Sequence, residues 1–484
     1  MEKLYELLKQ FVTELVNYVT GKTAAGLFIS LSDFGAVGDG VTDDAPAFAK
    51  LKAKYGTQPV TVLLDKSYKI KTNIDLPSNF HLIGIHGAQV LPDANVLFNA
   101  ANSERITINT PFHGYYTDGQ QNNMKIYDTT INAGNYGILL NNNASGSNLD
   151  VAGNTIKASA DPIEINTTAG NFYGIKIIGN LINALGDDSS PTAGFAIGIA
   201  NGKDIVVANN IVEHSRNEAI HIESAQERVL VTNNVLKDCL RDGVLLINET
   251  GAKPVILAQN QIKQLGNTHS GTGIYLVYDQ RGTLNGNYFG GNIIEGFRQG
   301  IDLGANTVQN IEGCTIIDCS TALTSVSSRA TGTITANNCP TLAIGGSGSS
   351  FGKIISLTEP QTILRYSGTK DYQGTTLEGF SFNKASILSA KGGYTDYPLF
   401  TLPTAFDGRL KVRYANNFDR IYCIADVTYQ KNTLKINHQW DYSFGVTAAP
   451  VLKVMNNQLV VNFYSADSRS VGFHIDFDGV FYQE

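Results

Sequence analysis

The sequence predicts an all-β chain, a right-handed, single-stranded parallel β-helix with a short N-terminal helix and a C-terminal β-sandwich-like domain. The first observation is a repeat. Asp204–Asn248 holds two copies of one pattern, DIVVANNIVEHSRNEAIHIE and RVLVTNNVLKDCLRDGVLLIN, with Asn210 and Asn234 24 residues apart. Self-similarity at a fixed period of this size marks a repeat architecture. The same asparagine recurs in LDVAGNTIKAS, IKIIGNLINAL, VILAQNQIKQL and FGGNIIEGF, giving a ladder of Asn154, Asn180, Asn210, Asn234, Asn260 and Asn292. It is expected to continue through Cys314 to Asn338. The second observation is period-two alternation in the strands NYGILLN, DPIEIN, EAIHIE, DGVLLIN, GTGIYLV and QGIDLG, which puts one face in a core and the other in water. Third, no helix-length periodic segment separates these strands, so βαβ crossovers are not expected. The remaining solution is a chain that keeps winding, each coil lying about 4.8 Å from the last.

The ladder has a physical reason. A sharp corner needs a residue near left-handed backbone angles, which Asn and Gly tolerate best. Stacked amides also satisfy buried polar groups from coil to coil. These asparagines are therefore assigned to structure, and none is a candidate site residue.

Composition narrows the function classes. Charged residues make up 16% of the 484, against about 25% in ordinary globular domains, as suits a repeat fold with an uncharged polar exterior. A net charge of −7 argues against a nucleic-acid partner, which requires a basic surface. The five cysteines, at 239, 314, 319, 339 and 423, lack metal-ligand spacing and are expected to be buried thiols rather than disulfides. Cys239 and Cys319 are expected in one inward column. No apolar run is long enough to span a bilayer, and Glu2, Glu6, Lys9, Gln10 and Glu14 interrupt the N-terminus as a signal peptide.

Taken in order, residues 1–30 form a helix and linker. Leu4, Leu7, Leu8, Phe11, Leu15, Tyr18 and Val19 stand at helical spacing with Gly21 as a stop, a stripe suited to self-association. Residues 31–345 form the β-helix, of which 31–55 are a cap. In that cap Gly35, Gly38 and Gly40 offer tight turns, and Asp43 or Asp44 caps a helix that Pro46 begins. The glycine spacing is not that of a phosphate cradle, and Asp39, Asp43 and Asp44 are not expected to hold a metal.

The phrase DFGAVGDGVTDD (Asp33–Asp44), followed by VTVLLDKSYKIKTNIDLPSNFHLIGIHGAQVL, resembles the N-terminal motif and first coils of pectate-lyase-like proteins, among them phage tailspikes and capsule depolymerases. The likeness is specific over residues 31–91 and is one of repeat style from there to about 345. It implies a tailspike on the virion tail, acting outside the host bacterium on a capsular or surface polysaccharide. A homotrimer, no cofactor, and attachment to a phage tail or adapter protein go with it; no head-binding segment is read before the motif, so either one has been removed or attachment is made through another protein. The family shares no catalytic motif with this chain.

GGSGSSFG at 345–352 reads as a boundary. Beyond it, over 353–484, the strands RLKVRYA, RIYCIADVTY, TLKINHQW, QLVVNFYSA and VGFHIDFDGVFY suggest a sandwich for oligomerisation or carbohydrate binding. Trp440, Tyr442 and Tyr464 are assigned to its core ahead of sugar platforms.

The candidate chemistry sits on the outer face of the opening repeat. Glu218, Asp242, Glu223 and His221 are the candidate catalytic residues. Glu218 and Asp242 share one position at the 24-residue offset, and His221 and Glu223 alternate with Ile220 and Ile222. Carboxyl pairs about 5–5.5 Å apart retain configuration in glycoside hydrolysis, and pairs about 6.5–9.5 Å apart invert it. Crowding also raises one pKa, as a general acid requires. Glu164 aligns with Gly198 and His221 to form a slot floored by glycine; Tyr275 and Asp302 continue that column. Arg216 and Arg241 are placed to steady an acidic sugar, and Asp187 and Asp188, in the insertion LGDDSSPTAG, to overhang the slot. These make a polysaccharide hydrolase the leading expectation. The alternatives are a lyase with His221 or Tyr275 as base on a uronate, and a spike that binds without cutting.

Overall fold

The structure, a computed structural model, describes residues 27–167, 172–185, 194–224, 227–248, 255–266, 269–278, 284–305, 307–346, 348–366, 376–386, 393–401, 405–415, 420–430, 433–444, 451–465 and 471–482. The expected N-terminal helix, Asp187 and Asp188 lie outside these residues, as do the side chains of Trp440, Tyr442 and Tyr464. The chain forms two compact units, 1–221 and 222–484. Among the described residues it is all-β apart from short helical segments, and its coils are those of a right-handed parallel β-helix.

The first unit begins with a strand, Leu27–Ser30, parallel to Val60–Leu64. A single 3-10 turn, Leu31–Phe34, ends at Gly35, whose φ of 90° lets its N–H reach back to Leu31 and Ser32. The α-helix Ala45–Tyr55 follows, with Pro46 in its first turn. Of the two expected caps, Asp43 Oδ1 accepts from Ala45 N (3.1 Å) and Lys71 N (3.0 Å). Asp44 instead turns to the glycine loop, accepting from Val37 N at 2.7 Å and Gly38 N at 3.2 Å. The helix buries Phe48 and Leu51, and Phe48 meets Phe98 edge-on at 6.4 Å, closing the apolar core.

Three columns of β-branched and aromatic side chains fill that core. Ile126, Val151, Ile177 and Val207 stack in register on one face. Ile131, Ile156, Ile182 and Val212 stack on the second. Tyr115, Ile138, Ile163 and Ile197 stack on the third, and all of these are buried. Parallel strands with stiff χ1 side chains pack well in this way.

The ladder differs from expectation in one respect. The left-handed residue is not the ladder asparagine but the one before it: Gly153, Gly179, Asn209, Asn233, Gln259 and Gly291 have φ between 56° and 70°. The ladder residue itself serves hydrogen bonding. Asn180 Oδ1 accepts from Asn154 N (3.0 Å) and Asn154 Nδ2 (2.9 Å), while its own Nδ2 donates to Val151 O (3.0 Å) and Asn210 Oδ1 (2.9 Å). Each amide thus closes a backbone donor and a carbonyl on neighbouring coils.

In the second unit Val244, Ile274, Ile301, Leu323, Ala343 and Leu364 stack in register. Asn234, Asn260 and Asn292 repeat the amide pattern, and Cys314 takes the next place, its Sγ donating to Phe289 O at 3.0 Å. Asn338 does not continue the ladder. Its φ is 53° and its amide meets Asp318, φ 52°, at 2.6 Å, so it occupies a left-handed position at the next corner, in line with Gly296 and Asp318, and Thr335 is the residue in register with Thr315. Cys239, Cys314, Cys319 and Cys339 are buried free thiols. Burial pushes Cys319 up to about 12 and Cys339 up to about 11, which keeps them inert.

Ser350–Ser356 pairs in parallel with Thr376–Ser386, which on its other side pairs antiparallel with Val471–Tyr482. That strand leads into an antiparallel sheet through Ala405–Ala415, Arg420–Gln430 and Thr433–Phe444. A three-stranded sheet, Gly393–Thr401, Gln458–Ser465 and Val451–Met455, packs on it. Phe400 meets Phe380 at 5.2 Å and Phe406 at 6.3 Å, so aromatic edges join the layers.

Candidate active site

On the third face of the first unit the strand register sets up two neighbouring columns. Tyr116, Leu139, Glu164 and Gly198 are paired in sequence along the strands. Ile197 N donates to Ala219 O (3.1 Å), which brings His221 to the place after Gly198. The second column is the corner before each strand: His113, Tyr136, Asp161, Phe195 and Glu218. Its carbonyls are tied coil to coil, Gly114 N to Tyr136 O (2.9 Å), Gly137 N to Asp161 O (3.1 Å) and Ala196 N to Glu218 O (3.3 Å). A small residue follows each corner because the coils meet there. A Cβ on Gly137 would lie 2.4 Å from Pro162 O.

Asp161 was not among the residues singled out by the sequence, and it is central. It is 3% exposed, and its Oδ1 accepts from Gly194 N at 2.6 Å and Phe195 N at 2.8 Å. Burial, reinforced by the charge of Glu218, pushes its pKa up to about 6 against the pull of these two N–H groups and His221. Glu218 is 1% exposed, and His221 Nδ1 lies 3.6 Å from its Oε2. The His221 ring packs on Phe195 at 4.4 Å. Glu164 is half-buried, and a Cβ on Gly198 would lie 2.0 Å from its Oε2, so only glycine leaves the slot open. Arg216 backs the Gly194 turn, its Cβ 2.8 Å from where a Cβ on Gly194 would be. The first unit thus brings together Glu218, His221, Glu164 and Arg216 with Asp161.

The expectation that the candidate carboxylates face solvent is corrected for Glu218 and Asp242, both buried. At the corners Asp161, Glu218 and Asp242 are covered, whereas Glu164, His221 and Glu223, on the outward face of their strands, are half-buried. Asp161 lay hidden because the coil after it is long, placing Ile163 opposite Ile197 and breaking the 24-residue offset. The signal that finds it is the residue preceding the Gly, Pro or Ala before each strand.

The raised pKa of Asp161 has a consequence for stability. The native state holds a proton where the unfolded chain, near 3.8, has released it. The group's contribution is fully present below pH 4 and is lost as pH rises through about 6, a change of about 3 kcal/mol. Asp161→Asn is therefore expected to unfold later than the wild type at pH 8 and to lose that advantage at pH 4, as read by urea midpoints.

The second unit carries its own cluster. Asp242 Oδ1 accepts from Thr272 N at 2.6 Å, and its Oδ2 lies 3.7 Å from the Nε of exposed Arg241. Tyr275 is in register with Asp302. Burial, then the charges of Asp302 and Asp242, raise the Tyr275 phenol. Burial also raises Asp302, although Gly304 N and Arg298 oppose it.

Residues 159–289 and 195–351 match the family described as Right handed beta helix region. No curated protein matches the chain in sequence. Among solved structures, bacteriophage CBA120 tailspike protein 3 is 14% identical, with a TM-score of 0.43, over 72% of this chain and 61% of that one. The chain thus spans about three fifths of that tailspike. The catalytic unit of an α-1,3-glucanase from Streptomyces thermodiastaticus is 14% identical at TM-score 0.39, over 72% and 69% of the two chains. The tailspike of E. coli bacteriophage HK620 is 11% identical at TM-score 0.35, over 93% of each.

Proposed function

We propose that this right-handed β-helix protein is a phage tailspike depolymerase, an endo-glycosidase that hydrolyses a bacterial capsular or surface polysaccharide. The observation that supports this most is the buried corner pair Asp161 and Glu218, one carboxyl raised to about 6 and the other held beside His221. Asp161, protonated at mildly acid pH, gives its proton to the leaving glycosidic oxygen. Glu218 takes a proton from the attacking water, and His221 orients it. The two corners stand two coils apart, about 9.6 Å at the backbone, which suits the separation of about 6.5–9.5 Å that admits a water and inverts configuration. Glu164, across the Gly198 slot, binds the sugar. Asp242 and Glu223 are the alternative acids, and Arg241, Tyr275 and Asp302 would bind sugar beside them within the second unit. On this reading the protein works as a homotrimer on a virion tail.

The test is incubation of the full chain with purified capsular polysaccharides, read by polymer size and product mass. Hydrolysis adds one water per bond cut. An unsaturated product would mean a lyase, and unchanged polymer length with retained binding would mean a non-catalytic spike. Gly198→Ala is expected to displace Glu164 and lower kcat/KM by about tenfold or more, while the melting temperature hardly moves, because a flexible side chain yields to the new methyl.

A further inference from the structure

The proposed mechanism leaves unused an aromatic cluster on the coils before Asp161. His113 stacks on Tyr116, ring centroids 5.8 Å apart and planes 11° apart, and lies 5.4 Å from Tyr136 and 3.7 Å from Phe112. The imidazole is 7% exposed, and its Nδ1 has no hydrogen-bond partner among the described residues. Burial lowers its pKa to about 4, so it is a neutral aromatic body at the pH where Asp161 works. Tyr116 is also one wall of a groove of about 560 Å³ shared with Asp75, Asn99, Asp118, Gln120 and Gln121.

The chemistry of that lining is specific. Carboxamides and carboxylates present both donors and acceptors to sugar hydroxyls, and an aromatic ring presents a flat apolar face to a pyranose. The lining holds no lysine or arginine among the described residues, and the nearby Lys52 is paired with Asp75 at 3.0 Å. Its charged groups are thus carboxylates, which repel an anionic sugar and accept from hydroxyls or an acetamido N–H. Tyr116 is two register steps before Glu164 along one strand column, about 9.6 Å. A polymer lying along that column would reach the groove within a few residues of the bond to be cut.

We infer that the groove at Tyr116 is a distal subsite for a neutral pyranose, a hexose or N-acetylhexosamine, of the polymer cut at Asp161 and Glu218. This rests on the function proposed above and sharpens it, because the repeat unit must place an uncharged sugar there and a uronate is disfavoured.

The experiment uses the full chain with purified bacterial polysaccharides of known composition, neutral and uronate-containing. The wild type is expected to shorten neutral polymers in preference. Tyr116→Ala is expected to raise KM about tenfold with a much smaller change in kcat. Tyr116→Phe, which keeps the ring and loses only the hydroxyl that accepts from Asn141 at 3.3 Å, restores most of the affinity. Gln120→Ala, at an exposed position that does not threaten folding, is expected to raise KM by about threefold. Wild-type KM in both Tyr116→Ala and Gln120→Ala, on a polymer the wild type cuts, overturns this inference alone, as does preference for uronate polymers. A wild type that neither binds nor shortens any of the polymers overturns the proposed function with it.

Discussion

Asp161→Asn is expected to slow depolymerisation by about a thousandfold while leaving polymer binding largely intact, since a positioned general acid contributes about 10²–10⁴ in rate. The amide keeps the oxygen that accepts from Gly194 and Phe195, so the corner stays folded and only the proton is lost. Glu218→Gln should fall as far, because it removes the base. Because the acid must be protonated, wild-type activity should decline as pH rises through about 6, the value to which burial brings Asp161, by about tenfold for each further pH unit. Both variants at wild-type rate, measured as chain scissions per enzyme per minute, would move the chemistry elsewhere. The amides of Asp242 and Glu223 are then the ones to compare.

The parts of the molecule that depend on stacking were legible in the sequence, because stacking imposes a period. Glu164 opposite Gly198 and Tyr275 opposite Asp302 follow from strand alignment alone, and both pairings are present. What alignment does not carry is which way a corner residue faces. Glu218 and Asp242 have the charge of surface groups and the burial of core ones, a property conferred by neighbouring coils. Asn338 looked like a rung because asparagine serves two different purposes here. At 154, 180, 210, 234, 260 and 292 its amide is the asset, whereas at 209, 233 and 338 it is tolerance of a positive φ. Composition cannot separate the two roles; hydrogen bonding and backbone angle can.

That distinction predicts that one kind of asparagine is far more costly to replace than another. Asn180→Leu keeps the volume and removes the amide. Asn154 N–H loses its acceptor, and Val151 O loses the donor that Asn180 supplies, with Asn154 and Asn180 each only 1% exposed. Water cannot replace either partner at such a depth, and each orphaned buried group costs about 1–3 kcal/mol, so a loss of about 4 kcal/mol is expected. Asn132, whose amide donates to Asn109 at 2.7 Å on the exposed face, provides the matched comparison. Asn132→Leu should cost about 0.5 kcal/mol or less, since water replaces its bond. Urea unfolding followed by circular dichroism reads both variants against the wild type. Equal midpoints for the two leucine variants would mean that the amide ladder adds nothing beyond the apolar columns beside it. The coils would then be held by Ile156, Ile182 and their neighbours, and the recurrence of asparagine would need another cause.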